Sequence, residues 1–145
     1  MDIQMIASFA VITTDAAADR KLFLDAMGLP LHGPGDVPGS DYVFSDAIEG
    51  AKHFGVWPLS EAAESCFGTS TWPDTHPVPQ ASVELEVGSP DAVEAAVAEL
   101  EASGHTMVHG SRTEPWGQVI ARLQSSSGVL VGVCFTPWYH EAPEG

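Results

Sequence analysis

Positive charge is scarce in this chain. Five Lys and Arg residues stand against 20 Asp and Glu, a formal net charge of −15 at pH 7. Such a surface repels phosphate backbones and anionic headgroups, which excludes nucleic acid and membrane surfaces as partners and favours a cationic or neutral small molecule. Cysteine is equally sparse. The two thiols, Cys66 and Cys134, have no metal-site spacing, and both are expected to be free in a reducing compartment, with Cys134 a small core residue. No apolar run approaches the roughly 20 residues of a membrane helix. The start, Met1-Asp2-Ile3-Gln4, lacks the basic and apolar regions of a signal peptide, so the expected location is the cytoplasm. There is no phosphate-binding G-x-G-x-x-G or P-loop and no serine on a G-x-S-x-G elbow.

What is present is a repeat. Helices are predicted over Asp15–Met27 and Pro90–Ser103. The first has a cap at Thr14 or Asp15, an apolar stripe of Leu22, Phe23 and Met27, and Gly28 as its stop. The second has Ser89 as N-cap, Pro90 and Asp91 in its first turn, Val93, Val97 and Leu100 at helical spacing, and Gly104 as its stop. Each helix follows a strand-like segment, Met5–Thr13 and Ser82–Val87, the latter alternating Val83, Leu85 and Val87 with Ser82, Glu84 and Glu86. Further strands are predicted at Asp41–Ser45 and Ala51–Trp57, more weakly at Leu29–Leu31, and then at Thr106–His109, Gly117–Gln124 and Val129–Phe135. The segment Gly33–Gly39 reads as a loop. The order β-α-β-β-β therefore occurs twice. It predicts an α+β fold of one domain over 1–145: module one over 1–58, a connecting loop over 59–80, module two over 81–138 and a tail over 139–145. The loop is too apolar for a free linker and is expected to fold back, with a short helix at Ser60–Ser65.

Three stretches carry a family resemblance: Leu22–Leu29 with its Gly-Leu corner, Pro115-Trp116-Gly117-Gln118, and Gly128 before the last strand. Together with the doubled βαβββ order they resemble the vicinal oxygen chelate superfamily of glyoxalases, bleomycin resistance proteins and dioxygenases. Ser125-Ser126-Ser127 departs from the Asp-Pro turn usual before that glycine. The resemblance implies two tandem βαβββ modules forming curved mixed sheets around a cavity, with helices on the convex side. It turns Phe9, Val11, Val83, Leu85 and Val87 toward the helices. It turns Ser8, Ala10, Ser82, Glu84, Glu86, His53, Gly55 and Trp57 inward, with Leu130, Gly132 and Cys134 on the last strand. On the seventh strand Gln118, Ile120 and Arg122 face in, while Val119, Ala121 and Leu123 are core.

The resemblance also locates the positions that bear metal ligands in metal-dependent members: Ser8, His53 or Gly55, Ser82 and Gly132. Of these only His53 can ligate, so no metal and no cofactor is expected; a His53/Glu84/Glu86 set is the alternative. His105 and His109 are no substitute, being about 13 Å apart in a strand. The expected ligand-binding residues are His53, Trp57, Trp72, Glu84, Glu86, Trp116 and Arg122. The tryptophans offer stacking and cation–π surfaces, or else seal the sheet ends. Arg122 is expected to pair with Glu84 or Glu86, or to clamp a ligand carboxylate. The leading expectation is a metal-free binding protein resembling bleomycin-resistance proteins. It would sequester an aromatic, cationic small molecule and would form a homodimer. A lyase, isomerase or oxygenase with a nonstandard site is the alternative.

Overall fold

A computed structural model describes residues 1–33 and 39–141. Residues 34–38, inside the expected loop Gly33–Gly39, and 142–145 of the tail lie outside the described residues. Among the described residues seven strands form one mixed sheet: β1 Met5–Thr13, β2 Val43–Ser45, β3 Phe54–Pro58, β4 Ala81–Glu86, β5 Met107–Thr113, β6 Val119–Gln124 and β7 Leu130–Phe135. Their order is β2-β3-β1-β4-β7-β6-β5. β1 and β4 lie antiparallel at the centre, with Phe9 opposite Val83 and Ala10 opposite Ser82. Outward from each, the next strand is parallel: β3 beside β1 and β7 beside β4. The two halves thus repeat one pairing scheme about the β1/β4 seam.

Among the described residues the first half is one strand short of the second. Leu29–Leu31 does not form a strand; a single bridge from His32 to Phe44 stands there instead. Gly28 at φ 68° and Pro30 break the backbone on either side of Leu29, so no ladder can extend through the segment.

The helices follow from their caps. Asp15 accepts a hydrogen bond from the Ala18 N–H at 3.0 Å and starts α1, Ala16–Arg20. The chain then widens into a π-helical segment, Lys21–Ala26, in which Met27 N–H donates to Leu22 O. This winding departs from the expected stripe. Phe23 meets Phe54 edge-on at 5.9 Å, whereas Leu22 and Met27 fall off the sheet-facing side and are exposed. The segment Leu59–Phe67 forms α2, longer than the expected helix and ended by Gly68 at φ 77°. α3, Pro90–Ala102, starts at Ser89, whose side chain accepts from Ala92 N–H at 3.1 Å.

The helices sit on different sides of the sheet. α3 lays Val93 and Ala96 on Val87, Ala121 and Val133 of the convex face. α2 lays Ala62, Ala63 and Cys66 on Ile12 and Leu130 of the concave face, together with Trp72. With α1 over β3 and α3 over the β7 side, the middle of the convex face is left bare by the described residues. Phe9, expected under a helix, is 43% exposed and Ile6 is 61% exposed, while Val11, Val83 and Leu85 are only half-buried. A β-bulge between Ile6 and Ser8 turns both Ala7 and Ser8 inward, so small side chains floor the concave side. Among the described residues no helix is long and apolar enough to cross a membrane.

Candidate functional site

The concave face encloses a cavity of about 860 Å³. Its floor is β1 and β4, with Ala7, Ser8, Ala10, Ser82 and Glu84. α2 covers one end through Ser60, Glu61, Glu64 and Ser65. Small residues on the central strands leave the volume open, and larger rings close its sides: Tyr42, Phe44, Trp57, Trp116, Trp138 and Tyr139.

One wall is a stack of three rings. Tyr42 and Phe44 lie two apart and so point the same way. Their centroids are 5.6 Å apart at 18°, and His53 stacks on Phe44 at 5.0 Å and 19°. The Tyr42 hydroxyl bonds His53 Nε2 at 2.5 Å, and His53 Nδ1 meets Asp46 Oδ1 at 2.6 Å. A carboxylate only accepts, so Nδ1 carries the proton and Nε2 accepts from Tyr42. The phenol lies flat on Gly55: a Cβ there would stand 2.3 Å from the hydroxyl oxygen. Glu61 of α2 holds the approach to Tyr42 by accepting from the Ser40 hydroxyl and, at 3.1 Å, from Asp41 N–H. Burial first, then the charges of Glu84 and Asp46, hold the Tyr42 phenol well above its usual range, so it stands as a proton donor.

The floor carries a second network. Gln118 Nε2 donates to Glu84 Oε1 at 3.0 Å and to Thr136 Oγ1 at 3.1 Å, while its Oε1 accepts from Trp116 Nε1 at 2.9 Å. One buried amide thus orients an indole and a carboxylate. The other oxygen of Glu84 has no protein partner among the described residues. Gly132 makes room for it, since a Cβ there would lie 3.2 Å from Glu84 Cγ.

The far wall is cationic. Arg122 Nη1 donates to Glu114 Oε1 at 3.0 Å and lies 3.1 Å from His109 Nε2, and its guanidinium stands 5.6 Å over the Trp57 ring. Arg112 Nε donates to the same Glu114 oxygen at 3.1 Å. That Trp57 of β3 reaches Arg122 of β6 measures how sharply the sheet curves.

Of the residues singled out from sequence, His53, Trp57, Glu84, Trp116 and Arg122 line this one cavity. Trp72 does not. It is buried edge-on against Phe67 at 4.9 Å and donates from Nε1 to Pro77 O at 2.9 Å. Glu86 does not line it either. It shares a strand face with Glu84, but the end of the chain roofs it, and it accepts from the Thr136 backbone and hydroxyl, the Cys134 thiol and His140. Arg122 pairs with Glu114, which follows the adjacent strand β5 and lies within 3.0 Å, rather than with Glu84 or Glu86; Glu86 is held by Thr136, and Glu84 accepts from Gln118 through one oxygen. Sequence reasoning missed Tyr42, Phe44, Asp46, Arg112, Glu114 and Tyr139; the alternation of Tyr42 and Phe44 in a predicted strand was the one available signal.

The residues at the expected metal-bearing positions do not fit a divalent ion. Ser8, Ser82 and Gly132 offer no strong donor, and both ring nitrogens of His53 are engaged. Among the described residues no three His, Cys, Asp or Glu side chains converge as such a site requires.

No protein-family model and no curated protein matches the chain. Solved structures do. A glyoxalase/bleomycin resistance protein/dioxygenase superfamily member from Vibrio splendidus 12B01 is 14% identical, with TM-score 0.55 over 91% of this chain and 98% of its own. A hypothetical protein from Bacillus halodurans C-125 is 18% identical, with TM-score 0.60 over 97% and 98%. A variant of Streptomyces coelicolor methylmalonyl-CoA epimerase in complex with 2-nitronate-propionyl-CoA is 11% identical, with TM-score 0.56 over 94% and 96%. These likenesses establish the fold.

Proposed function

We propose that this chain, which has the glyoxalase/bleomycin resistance protein/dioxygenase fold, is a small-molecule binding protein of the cytoplasm that sequesters an aromatic compound bearing a positive group. The observation that carries the reading is the cavity itself. Its volume of about 860 Å³ suits a drug-sized ligand, and its walls are flat rings. Tyr42, Phe44, Trp57, Trp116 and Trp138 provide stacking surfaces, and the free oxygen of Glu84 faces them as the partner of a cation. The serines and glycine at the metal-bearing positions support binding without a metal. The protein would act by stoichiometric capture, of the kind that blunts an aromatic cationic antibiotic. The proposal includes a homodimer, supported by the bare apolar Ile6 and Phe9 on the convex face.

A second reading rests on the Tyr42–His53–Asp46 chain, which can pass a proton to or from a bound molecule. On that reading the protein is a lyase, isomerase or oxygenase with a nonstandard site. One experiment separates the two. The protein is titrated with planar aromatic cations, bleomycin-type antibiotics included, while tryptophan fluorescence is followed with and without EDTA, and the bound compound is then recovered for mass analysis. Saturable quenching at one ligand per chain, indifferent to EDTA, with the compound recovered intact, is the expected outcome. A chemically altered compound turns the assignment to the second reading. No quenching by any member of the panel defeats the first.

A further inference from the structure

The arginine end of the cavity carries a positive charge that the protein leaves uncompensated. Arg112 and Arg122 share a single carboxylate, Glu114, through the same oxygen. His109, the other group on Arg122, is neutral: its Nδ1 donates to Gly110 O at 2.7 Å and its Nε2 accepts from Arg122. Within hydrogen-bond reach two guanidiniums face one carboxylate, a local excess of about +1 in a cavity whose other charged lining, Asp41, Asp46, Glu61, Glu64 and Glu84, is acidic. The hydrogen bonding is incomplete as well. The Arg122 side chain is 2% exposed, and its Nη2 is buried with no partner among the described residues. Arg112 engages Glu114 through Nε alone, and its two terminal nitrogens have no partner among the described residues. Both side chains line the cavity. A guanidinium nitrogen left unpaired is costly, and of the two side chains Arg112, 37% exposed, is the one that a partner in the cavity can approach directly.

We propose that Arg112 and Arg122 together form the docking point for a carboxylate on the ligand. A monoanion matches the charge left over, and a planar carboxylate matches the forked N–H edges of guanidinium. This rests on the reading of the cavity as an aromatic ligand site and deepens it: the compound is amphoteric. Glu84 and Arg122 flank Gly132 from the neighbouring strands on either side, so their backbones lie about 10 Å apart, two strand spacings. The ligand therefore carries its positive group and its carboxylate at opposite ends of an aromatic body, on the order of 10 Å apart.

The test uses three matched probes on the full chain: 1-naphthylmethylamine, 1-naphthylacetate and 5-(aminomethyl)-1-naphthylacetate, which carry the cation, the carboxylate and both at opposite ends of the ring system. Affinities are measured by calorimetry for the wild type and for Arg112→Gln, a change at a partly exposed side chain whose folding is checked by urea unfolding. Benzoate is titrated in parallel while the arginine Nε–H resonances are followed by NMR. The expected result is that Arg112→Gln weakens naphthylacetate and the aminomethyl-naphthylacetate by about tenfold and leaves the amine unchanged, a loss of about one charge-assisted pair. Arg122→Lys, which keeps the charge, is expected to weaken the same two probes and not the amine. If the amine binds but neither the naphthyl carboxylate nor benzoate moves the arginine resonances, the carboxylate site is overturned and the aromatic reading stands. If benzoate shifts those resonances and Arg112→Gln abolishes the shift while no naphthyl probe binds, the carboxylate site stands and the aromatic reading falls. If nothing binds, both fall.

Discussion

His109 lies where burial and two guanidiniums act on one imidazole. Burial chiefly, then Arg122 and Arg112, pull its pKa down to about 4, against a partial offset from its bond to Gly110 O. The folded pKa is thus below the unfolded value near 6.5, and the folded protein binds the proton less readily than the unfolded chain. The sign follows: this residue's contribution is fully present above about pH 6.5 and is lost as pH falls toward 4. After discounting for its partial exposure, the loss is on the order of 1–2 kcal/mol. Stability from urea unfolding is expected to fall less steeply across that window in His109→Gln than in the wild type. Equal slopes would show that His109 titrates alike in both states. The thiols are quieter. Burial pushes Cys66 up to about 11, so neither metal binding nor oxidation is expected of it near neutrality.

Helices on opposite faces of one sheet have separable duties. α3 stands on the convex side, held at its start by Ser89, and none of its residues lines the cavity. Ser89→Ala is expected to cost about 1 kcal/mol, the usual loss for an N-cap, with aromatic-probe affinity unchanged. α2 lies over the concave side with Ala63 wholly buried, so Ala63→Leu is expected to cost about 1–3 kcal/mol through overpacking and to weaken binding as well. Paired unfolding and probe titrations on both variants decide this, and a binding loss in Ser89→Ala would contradict the division. Much at this scale was legible in the sequence. The expected strand segments overlap all seven strands of the described residues, with alternation the mark of β4, and the Ser89-Pro90 start and Gly104 stop located α3. The faces of β6 also follow from alternation, with Gln118 and Arg122 in the cavity and Ala121 in the convex core. Other features depend on tertiary packing and carry no local mark. The π winding after Arg20 shifts a stripe that was sound on helical spacing. Glu86 has the right parity for the cavity, yet a turn some 50 residues later roofs it. Arg122 finds Glu114, beyond the end of β5, rather than Glu84, a partnership set by the curvature of the sheet that spacing does not encode.

The whole molecule presents a conflict that its cavity resolves only locally. With a net charge of −15, the field outside the protein attracts cations and repels anions, whereas the arginine corner favours a carboxylate at contact. Long-range repulsion is screened over a Debye length of about 10 Å at 0.1 M salt, but the short contacts at Arg112 and Arg122 lie inside that length, and Arg122 lies behind protein atoms. Salt should therefore act on approach more than on residence. Between roughly 0.01 and 0.15 M ionic strength, the association rate of 1-naphthylmethylamine is expected to fall by about tenfold, while that of 1-naphthylacetate rises. Dissociation rates of both should change far less, because they report contacts already formed. Stopped-flow tryptophan fluorescence at a series of salt concentrations measures both rates in one experiment. Parallel salt slopes for the two probes would mean that the net charge does not govern entry to the cavity. A dissociation rate for naphthylacetate that climbs steeply with salt would place its carboxylate on the open surface rather than against the buried guanidinium of Arg122.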